Sequence, residues 1–396
     1  MKKRILFLTL LIFFSFFTNE TYARTYSKNA ENVGNTKNTQ NEMKEQMQNF
    51  GIGSFLKETE KYKGDFFEGV DLNDIFENAI SGNIDNSIFL KKIINVCSKE
   101  IARNLKTIFS ILIIIIIHSI LKSISESLEN DNISKLIYYV QYILILTIIM
   151  TSFSDIIELV KETSNNLVGF INLLIPILTS LMLFTGSITT SNIIEPILLF
   201  TINLIGNLIQ DVLIPIVLLF ASLSIISKIS DKVQIGKLSK MMKSSVVWGL
   251  GIILTIFVGI VSLEGTLSST VDGITAKTTK AIVSSAIPVV GKILGDTVDT
   301  VLGCSVVIKN ALGIVGVIIV IGICIVPILR LSVLTLSYKL VSSVTETIAD
   351  KKIVELLNQL GDVFKLLLGI LCALSVMLII GITLVIKISN SGMMYR

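Results

Sequence analysis

Eight runs of mainly apolar residues, each 16 to 23 residues long, lie between residues 106 and 386. The hydrocarbon core of a bilayer is about 30 Å thick, so a helix needs about 20 apolar residues to cross it. Hydrophobic residues make up 52% of the chain and charged residues 16%, against about 25% charged residues in soluble domains. The sequence therefore predicts an all-α, polytopic integral membrane protein with about eight transmembrane helices and additional amphipathic helices. The predicted transmembrane helices are 106–121, 136–153, 167–184, 193–209, 212–227, 246–263, 311–329 and 364–386.

Residues 1–23 have the pattern of a secretory signal peptide. Three basic residues at positions 2–4 precede an apolar stretch at 5–17, and Thr21 and Ala23 are small residues suited to a cleavage site after Ala23. The apolar stretch is shorter than a transmembrane helix, so a retained signal anchor is the weaker alternative. Cleavage would leave the mature N-terminus outside the cytoplasm.

Residues 24–105 form the predicted extracytoplasmic region. Its first part, 24–50, is rich in Asn, Thr, Gln, Lys and Glu and is typical of a disordered linker. Apolar residues then recur at helical spacing between Leu72 and Ile80, which predicts a short amphipathic helix. A second helix, capped by Asn86 or Ser87, would lead into the first transmembrane helix.

The distribution of lysines sets the predicted orientation of the helices. The region 106–263 holds six predicted transmembrane helices, and five of them precede the five-lysine loop 228–245. With the N-terminus outside, this loop lies in the cytoplasm, and so does the basic segment 330–363. This agrees with the positive-inside rule. One cluster, four basic residues within 91–103, lies on the opposite side and conflicts with it.

Residues 264–310 are neither clearly a loop nor clearly a transmembrane helix. Their apolar residues fall on one face of each of two helices, and Pro288 separates the two. This pattern favours amphipathic helices that lie on the outer membrane surface or re-enter the membrane. The last part of the chain, 311–396, would hold two transmembrane helices with a cytoplasmic amphipathic stretch at 331–352 between them.

The fourth predicted transmembrane helix carries a stripe of polar residues. Such residues are costly in hydrocarbon, so they should face other helices or water. One interpretation is a pore or substrate path, and the favoured alternative is hydrogen bonding between helices. The stripe consists of Asn203, Asn207 and Gln210, with Glu195 and Asp211 beside it.

Glycines recur at short spacings in three regions, which allows close packing of helices in lipid. The favoured interpretation is packing within one chain, and the alternative is self-assembly into a homo-oligomer. The glycines concerned are Gly249, Gly251, Gly259, Gly291, Gly295, Gly313, Gly316 and Gly322.

Few residues suit catalytic or metal chemistry. His118 is the single histidine, and an interfacial position at a helix end is favoured for it over a proton relay. The four cysteines include no CxxC pair, and we expect free thiols. The chain lacks a Walker A loop, an HExxH motif and a GxSxG elbow. We therefore expect no enzyme activity, no cofactor and no metal, and a net charge of +4 does not indicate nucleic-acid binding.

The segment 265–316 resembles the most characteristic region of the stage III sporulation protein AE family. Length, signal peptide and multispan layout agree as well, so the resemblance covers nearly the whole chain. The family's catalytic residues cannot be transferred, because none is known. The resemblance rests on Asp272-Gly273, on Lys277 to Lys280, on the run from Ile287 through Pro288 to Gly291, and on Lys309-Asn310-Ala311-Leu312-Gly313.

The resemblance implies a role in endospore formation. Such proteins lie in the mother-cell membrane around the forespore, with their N-terminus between the two membranes. They act with the other stage III sporulation proteins of their operon, including an ATPase, and with stage II sporulation protein Q. Together these form a channel or transport complex that sustains late forespore gene expression. The alternative function is a stand-alone secondary transporter for a small solute, with Glu195, Asp211 and Glu264 as the available ion-coupling charges.

Overall fold

The computed structural model describes residues 37–82, 86–127, 131–185, 187–229, 235–286 and 291–391. For several stretches, including 264–286 and 291–300, it describes the backbone alone. The predicted signal peptide and the first part of the predicted linker, up to residue 36, lie outside these ranges. Regular structure in the described residues is entirely helical, which confirms the all-α class.

Three short helices come first and seven longer ones follow. The short helices are α1 (Lys37–Asn49), α2 (Ile52–Thr59) and α3 (Leu72–Ser81), with a 3₁₀ turn at Asp65–Phe67 between the last two. The longer ones are α4 (Asn86–Ser127), α5 (Asp131–Phe184), α6 (Ile188–Leu208), α7 (Ile214–Ile229), α8 (Gly236–Ala286), α9 (Gly291–Thr345) and α10 (Lys351–Ser391). A π-helical turn, Ile209–Leu213, joins α6 to α7 without a break.

The described residues contain six helices that are long and apolar enough to cross a membrane, rather than eight. Two expected pairs of transmembrane helices are each one continuous helix, because the expected breaks at 154–166 and 210–211 are helical. The segment 154–166 has no glycine or proline, and its Glu, Lys and Leu residues favour helix. The candidate spans are Lys91–Ile124, Lys135–Phe184, Thr190–Lys228, Gly236–Leu263, Val301–Thr345 and Lys351–Lys387.

The change from eight spans to six preserves the side on which each later loop lies. Joining one pair of helices would reverse the orientation of all that follows, and joining a second pair restores it. The lysine-rich loop 228–245 therefore stays on the side opposite the N-terminus, as the sequence predicts. α5 is 54 residues long, which corresponds to about 80 Å at 1.5 Å per residue, so it extends well beyond one bilayer core.

α10 is the central helix of the bundle. It packs along the length of α9 and is also in contact with α5, α7 and α8. Its buried residues include Leu360, Phe364 and Leu374, all fully enclosed. The predicted amphipathic stretch 331–352 forms the end of α9, the turn that follows and the first residues of α10.

The two amphipathic helices expected within 264–310 are extensions of the long helices α8 and α9. α8 continues to Ala286 and α9 begins at Gly291, and Pro288 is outside the described residues. An uninterrupted helical hydrogen-bond ladder joins each extension to its span, so neither is a separate surface helix.

The N-terminal unit, which we define as residues 37–82, is folded against the long helices. The expectation of a disordered linker up to residue 50 is wrong for 37–49, which form α1. The side-chain amide of Gln46 donates to the carbonyl oxygen of Val301 (2.9 Å) and accepts from the hydroxyl of Ser305 (2.8 Å). These tertiary contacts order a segment whose composition alone is typical of disorder. The predicted helix at 72–80 is confirmed as α3.

Candidate functional site

The polar stripe of α6 makes hydrogen bonds to α5. The side-chain amides of Asn203 and Asn172 bond each other in both directions, at 2.9 and 3.0 Å. The Gln210 amide donates to Asn165 Oδ1 at 2.5 Å. Thr179 Oγ1 donates to Glu195 Oε2 at 2.6 Å. Three stripe residues therefore join the two helices along their length.

The other two stripe residues, Asn207 and Asp211, are exposed. Asp211 lies in the π-helical turn, which shifts the register of the helix by one residue. Such turns are frequent at functional sites. The contacts of the stripe are those of interhelical packing, and Glu195 accepts a hydrogen bond from the hydroxyl of Thr179.

An open groove lies beside this helix pair. It has a volume of about 740 Å³, with apolar residues of α5 and Leu218 of α7 among its lining. Polar residues of α5 form the rest, and we call the site the polar groove. The polar lining is Ser154, Glu158, Lys161, Glu162, Asn165 and Asn166.

Three charged side chains line the polar groove. Glu158, Lys161 and Glu162 are exposed, and within the described ranges none of them makes an ion pair. Asp155 and Asp211, also exposed, add to the negative charge nearby. The groove thus carries an excess of uncompensated carboxylates.

The depth of the groove follows from helix contacts. Leu213 lies against Gly249 of α8, within the candidate span Gly236–Leu263. Gln210, three residues before Leu213, bonds Asn165, and Glu162 lies three residues before Asn165 on the antiparallel α5. Glu162 is therefore level with Gly249. The uncompensated carboxylates lie at the depth of a membrane span.

Three carboxylates at the start of α10 each bind a basic group from another helix, and we call them, with those groups, the ion-pair layer. Asp350 accepts from His118 Nε2 at 2.9 Å and from Lys122 Nζ at 2.5 Å, both on α4. Glu355 pairs with Lys228 of α7. Asp362 pairs with Lys243 of α8 and with Lys339 of α9, the latter at 2.9 Å.

The ion-pair layer fixes one end of the bundle around α10. The two hydrogen bonds from α4, that of His118 first, lower the pKa of Asp350 to about 2 in spite of its partial burial. His118 is 2% exposed and lies near the end of its candidate span, so burial within the protein is added to the interfacial position that the sequence predicts. Sequence reasoning missed the layer because all of its pairs but Lys339–Asp362 join residues more than 100 positions apart. The sequence signal that could have indicated the layer is the occurrence of three acidic residues, Asp350, Glu355 and Asp362, near the start of an otherwise apolar helix.

The N-terminal unit docks through aromatic side chains that lie on glycines. The ring of Tyr62 lies on Gly169 of α5, and the ring of Phe67 lies on Gly322 of α9. Phe67 is 1% exposed. Lys92 of α4 donates to the carbonyl oxygen of Glu68 at 2.9 Å. The unit is thus clamped between three long helices.

The glycines divide into two groups. Gly313 and Gly316 leave no room for a methyl group, because Ile386 and Leu174 fill the space, and Gly322 is filled by Phe67. In contrast, Gly251 and Gly259 on α8 have open space around them. Gly313, Gly316 and Gly322 of α9 therefore serve packing within the chain.

The residues that carry the family resemblance lie mostly where only the backbone is described. Lys309, which is fully buried, belongs with Asn310 and Gly313 to the described part of α9. Pro288 lies outside the described residues. Asp272, Gly273, Lys277 and Lys280 are in the helical backbone of α8, and Gly291 is the first residue of α9.

The described residues hold no group of three His, Cys, Asp or Glu side chains arranged for a metal ion. The cysteines Cys97, Cys304, Cys324 and Cys372 are free thiols.

Comparison with known proteins identifies relatives of this chain. The family model of stage III sporulation protein AE matches residues 70–389, a range that includes every candidate span. Stage III sporulation protein AE of Bacillus subtilis (strain 168) is 28% identical over 308 residues, which cover 78% of this chain and 77% of that protein. No solved structure matches. The family model matches this chain over most of its length. The chain therefore belongs to the stage III sporulation protein AE family.

Proposed function

We propose that this chain is a membrane subunit of the channel or transport complex that connects the mother cell to the forespore. In this role it sustains late forespore gene expression during endospore development. The observation that carries the proposal is the family match across residues 70–389, which spans the whole helical bundle. Membership of a sporulation family supports action during that programme.

The proposed mechanism is assembly rather than catalysis. The stripe of α6 is used in bonds to α5, and the ion-pair layer joins α4, α7, α8 and α9 to α10. Both arrangements stabilise a rigid helical body. A body of this kind suits a scaffold that other subunits bind, with energy supplied by a partner ATPase.

We further propose that the ion-pair layer faces the mother-cell cytoplasm and that the N-terminal unit faces the space between the two membranes. The lysines of the layer, Lys122, Lys228, Lys243 and Lys339, lie at one end of the bundle. The positive-inside rule favours the cytoplasm for that end. Stage II sporulation protein Q would then meet the chain from the N-terminal side, and the other stage III proteins within the same membrane.

Deletion and complementation in a spore-forming host test this function. We expect the deletion strain to activate an early forespore reporter normally and to lose most late forespore expression, with recovery when the gene is restored. A tagged chain should co-purify with the operon ATPase and with protein Q from sporulating cells. Normal late expression in the deletion strain would overturn the proposal.

A further inference from the structure

We propose that the polar groove is the contact surface for a second copy of this chain, with Lys161 of each copy bound to Glu158 and Glu162 of the other. The inference concerns association between copies and is independent of the proposed role in the channel or transport complex.

The groove needs a partner because its carboxylates make no ion pair in the described residues, although they lie at the depth of a candidate membrane span. Glu158 and Glu162 are exposed and make no ion pair within the described ranges, although Glu162 is level with Gly249 in the span of α8. Ionisable residues at such depth face a partner or a water-filled cavity. By comparison, every carboxylate of the ion-pair layer binds a lysine.

Exposed apolar side chains lie beside the groove on the neighbouring segment of the chain. Val212 of the π-helical turn and Leu219 of α7 are exposed at the height of the groove, and Leu204 of α6 is exposed about 14 Å above the level of Glu162. A partner that covers the groove therefore meets apolar surface beside the polar side chains. A second copy has this arrangement by definition.

The height of Lys161 matches a second copy. Copies inserted in the same membrane by the same route share one orientation, so a two-fold axis relates equal residues at equal height. At 1.5 Å per residue, Lys161 lies about 1.5 Å from the level of Glu162 and about 4.5 Å from that of Glu158. A flexible lysine side chain reaches both levels. The contact of Lys161 with Glu158 and Glu162 of the other copy is thus self-complementary, and the two-fold axis produces it twice in the dimer.

Charge-exchanged variants of the full-length chain test the contact. Donor- and acceptor-tagged copies are reconstituted in liposomes, and energy transfer is followed as lipid is added. We expect the wild type to associate, and Lys161→Glu and the double variant Glu158→Lys/Glu162→Lys each to associate at least tenfold more weakly. A mixture of the two variants should recover association, because one supplies only acids and the other only lysines.

Lys57→Glu is the matched control, since Lys57 is exposed on α2, away from the groove; it should associate as the wild type does. A monomeric wild type, or a mixture that fails to recover energy transfer, overturns the proposal. If the pure chain is monomeric and the double variant nevertheless blocks assembly in sporulating cells, the groove belongs to a different membrane protein with a basic helix. If the mixture recovers association, misfolding is excluded as the reason why each variant alone associates weakly.

Discussion

The contact between Phe67 and Gly322 makes a quantitative prediction. A methyl group at position 322 would overlap the Phe67 ring, which is 1% exposed and enclosed on all sides. Overpacking costs about 1–3 kcal/mol, whereas replacing glycine by alanine in a helix gains about 1 kcal/mol. We therefore expect Gly322→Ala to lower the free energy of unfolding by up to about 2 kcal/mol, the excess of overpacking over helix propensity.

The effect should reverse when the ring is removed. Phe67→Ala alone loses about 3–5 kcal/mol through the cavity it creates. In that background, the methyl of Gly322→Ala enters vacated space, and the substitution should gain about 1 kcal/mol from helix propensity. The coupling between the two positions is then about 1–3 kcal/mol, within the range for residues in direct contact.

The native thiols provide the assay. Cys304 and Cys324 of α9 are buried thiols, so in a chain with Cys97 and Cys372 replaced by serine a fluorogenic maleimide reports the temperature at which this helix opens. Gly259→Ala is the matched control, because its added methyl meets open space, and it should not lower that temperature. Additive losses in the double variant would refute the proposed contact and the docking of the N-terminal unit on α9.

Three further predictions concern the polar contacts. Asp362→Asn leaves Lys243 and Lys339 without their carboxylate, and because both lysines are over a third exposed we expect a loss of about 1 kcal/mol, measured with the same thiol assay. Asn203→Leu strands the Asn172 amide and should destabilise the bundle more than the double change of both asparagines to leucine, by about 0.5–1.5 kcal/mol in thermal unfolding. Because the pKa of Asp350 is lowered to about 2, its stabilisation is complete above about pH 4 and is lost as the pH falls toward 2, so Asp350→Asn should flatten the acid limb of a stability-against-pH curve.

The sequence predicts the helical membrane body because that body depends on local composition. Each apolar run forms helix wherever it is buried or faces lipid, and α3 follows from the spacing of Leu72 and its neighbours alone. The expected breaks fail for the opposite reason. A polar segment such as 154–166 has the composition of a loop but good helix formers, and only the packed structure shows that α5 passes through it.

The ion-pair layer and the docking of the N-terminal unit depend on contacts that are distant in sequence. Asp350 and His118 are 232 residues apart, and Gln46 and Ser305 are 259 apart. No spacing rule links such pairs. In contrast, Asn172 and Asn203 are only 31 residues apart, on neighbouring helices. The polar stripe in the sequence predicts a hydrogen bond from Asn203 to another helix.

Labelling of Ile188→Cys in a chain without other cysteines tests the six-span architecture most directly. Ile188 follows the turn between α5 and α6 and is 53% exposed. Six spans with an external N-terminus place it outside, whereas eight spans place it in the cytoplasm. Asp74→Cys and Lys240→Cys, both at exposed positions, serve as the outside and inside references. We expect an impermeant maleimide to label positions 74 and 188 on intact cells and position 240 only after permeabilisation; labelling of position 188 only after permeabilisation, alongside position 240, would contradict the six-span fold.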